Sequence, residues 1–78
     1  MKTMNCRQLG GACELAFTAD TFEEMAELSR KHGMTMVQKG DPEHLEAMNQ
    51  MRELMQSPED MRQWMEAKRQ EFEALPDH

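Results

Sequence analysis

The chain has 78 residues, 38% of them hydrophobic, with three Phe and one Trp as its only aromatic side chains, which is enough for one small domain and no second core. Nine Lys/Arg against fifteen Asp/Glu leave a net charge of −6, which argues against recognition of nucleic acid or an anionic membrane through a positive field. No apolar run approaches the roughly 20 residues of a membrane helix, and at this size an extra staple (metal, disulfide or dimer) is expected beside the core.

The opening MKTMNCRQLGG has no apolar centre of the kind a signal peptide carries. A cytoplasmic location is therefore expected, where cysteines serve as thiols, ligands or redox groups rather than structural disulfides. Lys2 to Cys6 reads as extended. Leu9-Gly10-Gly11 supplies a turn, since glycine reaches positive φ without steric cost. In ACELAFTA, Cys13, Leu15 and Phe17 alternate with Ala12, Glu14 and Ala16, the period of a strand with one buried face. A β-hairpin is predicted within residues 1–18, pairing roughly 2–6 with 12–18. Because a lone hairpin is barely stable in water, its apolar face must lie on helices.

Helix one opens at Thr21, which can cap while Glu24 closes a capping box. Phe22, Met25, Ser29, His32 and Met36 recur every three or four residues and carry the helix over 21–39, with Gly40 as its stop. A break at Gly33 is the alternative, but an internal glycine costs only about 1 kcal/mol relative to alanine, so the unbroken helix is favoured. Helix two, 42–56, starts at Asp41-Pro42-Glu43: an N-cap, a proline in the first turn and an acid at the positive end of the dipole. Its stripe is Leu45, Met48, Met51, Leu54 and Met55. Helix three, 58–75, restarts the same way at Ser57-Pro58-Glu59-Asp60, with a stripe of Met61, Trp64, Met65, Lys68 and Phe72. The short link between these two helices predicts an antiparallel αα-hairpin. The fold class expected is α+β, a small ββααα domain. Leu15, Phe17, Phe22, Met25, Met48, Met51, Leu54, Met61, Trp64 and Phe72 are its expected buried residues.

Cys6, Cys13, His32 and His44 are four soft or borderline ligands, the number that a tetrahedral zinc site uses. The two cysteines flank the hairpin turn, His32 lies on the inward stripe of helix one, and His44 borders the stripe of helix two. Their spacing is not that of a zinc finger, and spacing alone favours the plainer reading of buried thiols with amphipathic helix-edge histidines. Geometry adds a tension. On an unbroken helix one, His32 lies roughly 10 Å back from the end, whereas His44 lies only about 4.5 Å into helix two, so the rings would be offset by about a turn.

Cys6 and Cys13 can alternatively cycle between dithiol and disulfide, with Arg7 enriching the Cys6 thiolate. The ten methionines include Met48, Met51, Met55, Met61 and Met65. Such thioethers suit Cu(I), but their positions coincide with the apolar stripes and favour packing. A Met-rich surface that binds a partner helix, or a second copy of the chain, is a further reading. The carboxylates fall mostly on outward faces or at helix starts. With no catalytic Ser/His/Asp order, phosphate loop or basic aromatic patch, no enzymatic activity is expected.

MKTMNCRQLGGAC followed by TFEEMAELSRKHGM resembles domain-of-unknown-function family 1059, described as predicted small metal-binding proteins. The likeness covers residues 1 to about 34. It rests on Cys6, Leu9-Gly10, Cys13-Glu14, Thr21 to Glu24 and His32-Gly33, with residues 35–78 as an extended helical form. Many members carry a further histidine four or five residues before the His-Gly, where this chain has Glu27 and Leu28; His44 would take its place. The resemblance implies metal binding. The resulting expectation is a site of the Zn²⁺ type at Cys6, Cys13, His32 and His44, with a Met-rich interaction module and a thiol-redox protein as alternatives.

Overall fold

Strands β1 (Lys2–Asn5) and β2 (Ala16–Ala19) pair antiparallel in a computed structural model that describes residues 1–77. The register sets Met4 against Phe17, and both side chains point with Ala19 into the core, while Thr3 and Thr18 face outward. The hairpin is thus present, but its ladder is shorter than the pattern predicted, and residues 6–15 form the connection. Arg7–Leu9 is a single 3-10 turn that ends on Gly10 at φ 93°, a left-handed conformation suited to glycine. Leu15, expected inside, is 50% exposed. Its carbonyl still accepts the Cys6 N–H at 2.8 Å, but it lies outside the ladder, where two-residue alternation no longer governs which way a side chain points.

Helix α1 (Phe22–Gln38) runs unbroken through Gly33. Thr21 caps it, its hydroxyl accepting the Glu24 N–H at 3.2 Å. At the other end Gly40 takes φ 79°, its N–H donating to the Val37 carbonyl at 2.9 Å, while the Asp41 N–H reaches the Met36 carbonyl at 3.1 Å. This paired closure, a Schellman motif, turns the chain sharply and delivers Asp41 as the N-cap of α2 (Pro42–Leu54). Ser57 caps α3 (Pro58–Ala74) through the Asp60 N–H at 3.1 Å. All three helix starts follow from their capping sequences.

The core lies between the sheet and α1, with Met4, Leu9, Phe17, Ala19, Phe22 and Met25 at its centre. Phe72 closes it from α3, its ring edge-to-face with Phe22 at 6.0 Å between centroids. Both α2 and α3 pack on α1 more than on each other, so the expected αα-hairpin gives way to two helices laid separately on a third. This displaces the predicted stripes. On α2 the face turned inward is His44, Ala47, Met48, Met51 and Met55, leaving Leu54 62% exposed; at the start of α3, Met61 is 52% exposed. Trp64 is half-buried beside Gly10, with the Lys68 ammonium 5.6 Å from its ring. No helix is long and apolar enough, among the described residues, to cross a membrane.

Candidate metal centre

Cys6 leaves β1 at the point where the ladder ends and the 3-10 turn begins, and its side chain is buried. Four backbone bonds fix the segment that carries both cysteines. The Cys6 N–H donates to Leu15 O at 2.8 Å and the Arg7 N–H to Cys13 O at 3.0 Å. The N–H groups of Leu9 and Gly11 converge on the Cys6 carbonyl at 3.1 and 2.8 Å. The Arg7 guanidinium crosses the outside of this loop, donating to Ala12 O at 3.3 Å and pairing with Glu14 at 3.5 Å. Gly11 does more than turn the chain: a β-carbon there would overlap the Cys6 Sγ, so glycine leaves the room in which that sulfur sits.

The histidines come from separate helices. His32 lies midway along α1, its ring edge-to-face with Phe17 at 5.6 Å, and His44 lies in the first turn of α2 and is buried. Cys13 Sγ lies 3.3 Å from His32 Nε2, and Cys6 Sγ lies 3.6 Å from His44 Nε2. The ligand atoms of Cys6, Cys13, His32 and His44 all fall within 4.8 Å of one another. All four residues singled out in the sequence are therefore brought to one place. The expected conflict between an unbroken α1 and a shared site does not arise. The turn at Gly40 folds α2 back, and the two imidazoles span the offset, with ring centroids 5.2 Å apart.

The S···N separations suit a small tetrahedral ion, and the remaining pairs, within 4.8 Å, would need to draw in by no more than about 1.4 Å around it. Bonds of about 2.3 Å to sulfur and about 2.0–2.1 Å to nitrogen imply edges of about 3.6 Å for S···N, about 3.7 Å for S···S and about 3.4 Å for N···N. The two S···N distances lie within 0.3 Å of that edge, and two thiolates with two imidazoles form the borderline-soft donor set that such an ion prefers. Four such donors would fill a tetrahedron and leave no open position.

The surroundings bias the donors unequally. Burial pushes the Cys6 thiol up, while the N–H groups of Cys13 and Ala12 that face its sulfur work the other way. Cys13 is held below the usual thiol range, chiefly because the Leu15 N–H donates to its sulfur. His32 is pushed down by burial and then by the nearby His44, which favours its neutral, ligating form.

His44 is pulled the opposite way by Asp41, whose carboxylate meets Nδ1 at 2.5 Å. That bond assigns the proton to Nδ1 and aims the lone pair of Nε2 at the sulfurs. The same Oδ2 also accepts the His44 N–H at 3.0 Å, so one oxygen caps α2 and orients the His44 ring. Asp41 is the residue that reading the sequence for ligands missed. Its signal was present as the i,i+3 spacing of Asp41 and His44, but it was taken up by the cap.

A cavity of about 350 Å³ borders the cluster between α1 and α2, lined by Cys6 and His44 together with Met34, Met48, Met51 and Met55. Both cysteines are free thiols. Comparison with family models, with curated proteins and with solved structures finds no match to this chain.

Proposed function

We infer that the chain binds one ion of the Zn²⁺ type through Cys6 Sγ, Cys13 Sγ, His32 Nε2 and His44 Nε2, and that the ion ties the hairpin to α1 and α2. The observation that carries this reading is the convergence of two thiols and two imidazoles within 4.8 Å from four separated positions of the chain. A closed ligand set leaves no coordination position for a substrate, so the role is structural or regulatory rather than enzymatic. Membership of domain-of-unknown-function family 1059, proposed on the motif spanning Cys6 to Gly33, supports the same reading, and a reducing cytoplasm would keep both cysteines available as ligands.

Binding and folding are then linked, since the site does not exist in the unfolded chain. The test is metal analysis of untagged native protein, together with thermal melts with and without a strong chelator. One equivalent of metal and a lower melting temperature in chelator are expected. Cys6→Ser and Cys13→Ser should each abolish the chelator effect. A metal-free native protein whose melt ignores chelator refutes the proposal.

The exposed Leu54, Met61 and Met65 on α2 and α3 favour a second role in self-association or partner binding. Light scattering across a dilution series tests the homodimer, and a monomer at every concentration removes that form of it.

A further inference from the structure

We propose that Cys6 and Cys13 form a hydroperoxide-sensitive pair that closes to a disulfide and, in doing so, expels the metal. The second half rests on the metal reading above; the first half does not.

Three observations carry it. The two sulfurs lie within 4.8 Å of each other on one loop, residues 6–15, whose ends are already held by the backbone bonds of Cys6 and Arg7. Bringing them to the about 2.05 Å of a disulfide therefore asks for rotation within that loop and no movement of a helix. Both histidines, by contrast, stand on separate helices and do not follow the sulfurs inward. The loop is also asymmetric. Cys6 is buried, with 3% of its surface exposed, whereas Cys13 is partly open to solvent, so an oxidant of small size meets Cys13 first. Finally, residue 11 places no side chain against the Cys6 sulfur, where a β-carbon would overlap it.

The chemistry balances in two steps. The Cys13 thiolate attacks one oxygen of the hydroperoxide, the O–O bond breaks, and the product is the Cys13 sulfenic acid with water (or an alcohol) as leaving group after protonation. Cys6 sulfur then attacks the Cys13 sulfur, forming the S–S bond and releasing the sulfenic oxygen as water, with its protons drawn from the thiol or from solvent. Two sulfurs lose two electrons in total, and the hydroperoxide takes them. A disulfide has no thiolate to offer, so the ion keeps only two imidazoles and leaves. A dithiol reductant reverses the change.

The experiment treats the untagged, zinc-loaded full chain with hydrogen peroxide. Released zinc is read with a chromogenic indicator, and thiols by alkylation and intact mass. The expected result is one zinc released for each intramolecular disulfide, a mass lower by two hydrogens, and recovery of both after dithiol and zinc are added back. In the unoxidised chain Cys13 should be alkylated faster than Cys6 by at least tenfold, a measurement that needs no variant. Cys6→Ser should accumulate a sulfenic acid at Cys13 that a cyclic 1,3-dione traps. Thiols that survive peroxide, intermolecular disulfides, or sulfinic acids formed in place of the disulfide overturn the proposal. If the native chain takes up no zinc, the metal reading fails on its own; the metal-free chain then still decides the disulfide, by mass, in either direction.

Discussion

Gly11→Ala is the most informative single change. The added β-carbon would overlap the Cys6 Sγ and sit 3.1 Å from the Cys6 carbonyl oxygen. Because Gly11 is not among the positive-φ glycines, its backbone accepts alanine, and the whole effect falls on contact. Carbon and sulfur must part to roughly 3.5–4 Å, which moves the Cys6 sulfur by more than about 1 Å. That displacement is large beside a metal–sulfur bond of about 2.3 Å, so the sulfur is lost as a ligand. If the ion contributes about 10–16 kcal/mol through four donors, losing one forfeits about 3 kcal/mol, or about a hundredfold in affinity. Overpacking alone destabilises the metal-free chain by about 1–3 kcal/mol.

The assay is a zinc competition titration against a chromogenic chelator, with cobalt substitution to report thiolate ligation. Gly33→Ala is the control, since a β-carbon there meets nothing within 4 Å: it should leave the metal untouched and stabilise α1 by about 1 kcal/mol. Wild-type zinc affinity in Gly11→Ala, with an unchanged thiolate–cobalt spectrum, would refute the placement of Cys6.

Asp41→Asn keeps an effective N-cap but removes the carboxylate that orients His44, so the melt of the metal-free chain should change little while zinc affinity falls about 10–100-fold. Equal affinity in a titration would show that His44 needs no such partner. Zinc affinity should rise with pH between about 6 and 8, because thiols must lose their protons to ligate. Burial raises the Cys6 thiol and the Leu15 N–H lowers Cys13, so Cys6 should release the larger share of the protons on binding. Calorimetry in buffers of different ionisation heat counts these protons, and pH-independent binding would exclude thiolate ligands. Met25→Ala, at a position with no exposed surface, should cost about 2–5 kcal/mol in denaturant melts. Leu54→Ser should stay within about 0.5 kcal/mol, and a large loss there would signal a buried interface instead.

Local signals carried most of what could be read without a structure. Helix starts at Thr21, Asp41 and Ser57 depend on a side chain and an N–H three residues away, and each of these caps formed where the sequence indicated. The stripe of α1 held from Phe22 through Met36 because that helix receives both the sheet and the other two helices. Periodicity on α2 and α3 misjudged Leu54 and Met61, since it shows that a helix has an apolar face but not where along its length a neighbour ends. Leu15 failed for a related reason, as alternation was read past the end of the paired strand.

The four candidate donors were legible as residue types and were expected at one site. What spacing did not reveal is how an unbroken α1 reaches that site, because this depends on a turn at Gly40 that sequence describes only as distance along the chain. The second task of Asp41 was hidden behind its first, since one oxygen serves both the helix and the imidazole.

Helix α3 supplies none of the four donors, and its hold on the rest is uneven. Its C-terminal half is anchored by Phe72 against Phe22, by Lys2 over the Phe72 ring at 5.2 Å, and by Arg69 on Glu23 at 2.9 Å. Its first turns leave Met61 and Met65 in solvent. Amide hydrogens near Pro58–Gln63, ahead of the half-buried Trp64, should therefore exchange through local fraying, on a schedule separate from the hairpin, α1 and α2. If the ion is bound, its loading should slow exchange across residues 2–54 and leave that stretch of α3 as quick as before, which would divide one fold into two thermodynamic units.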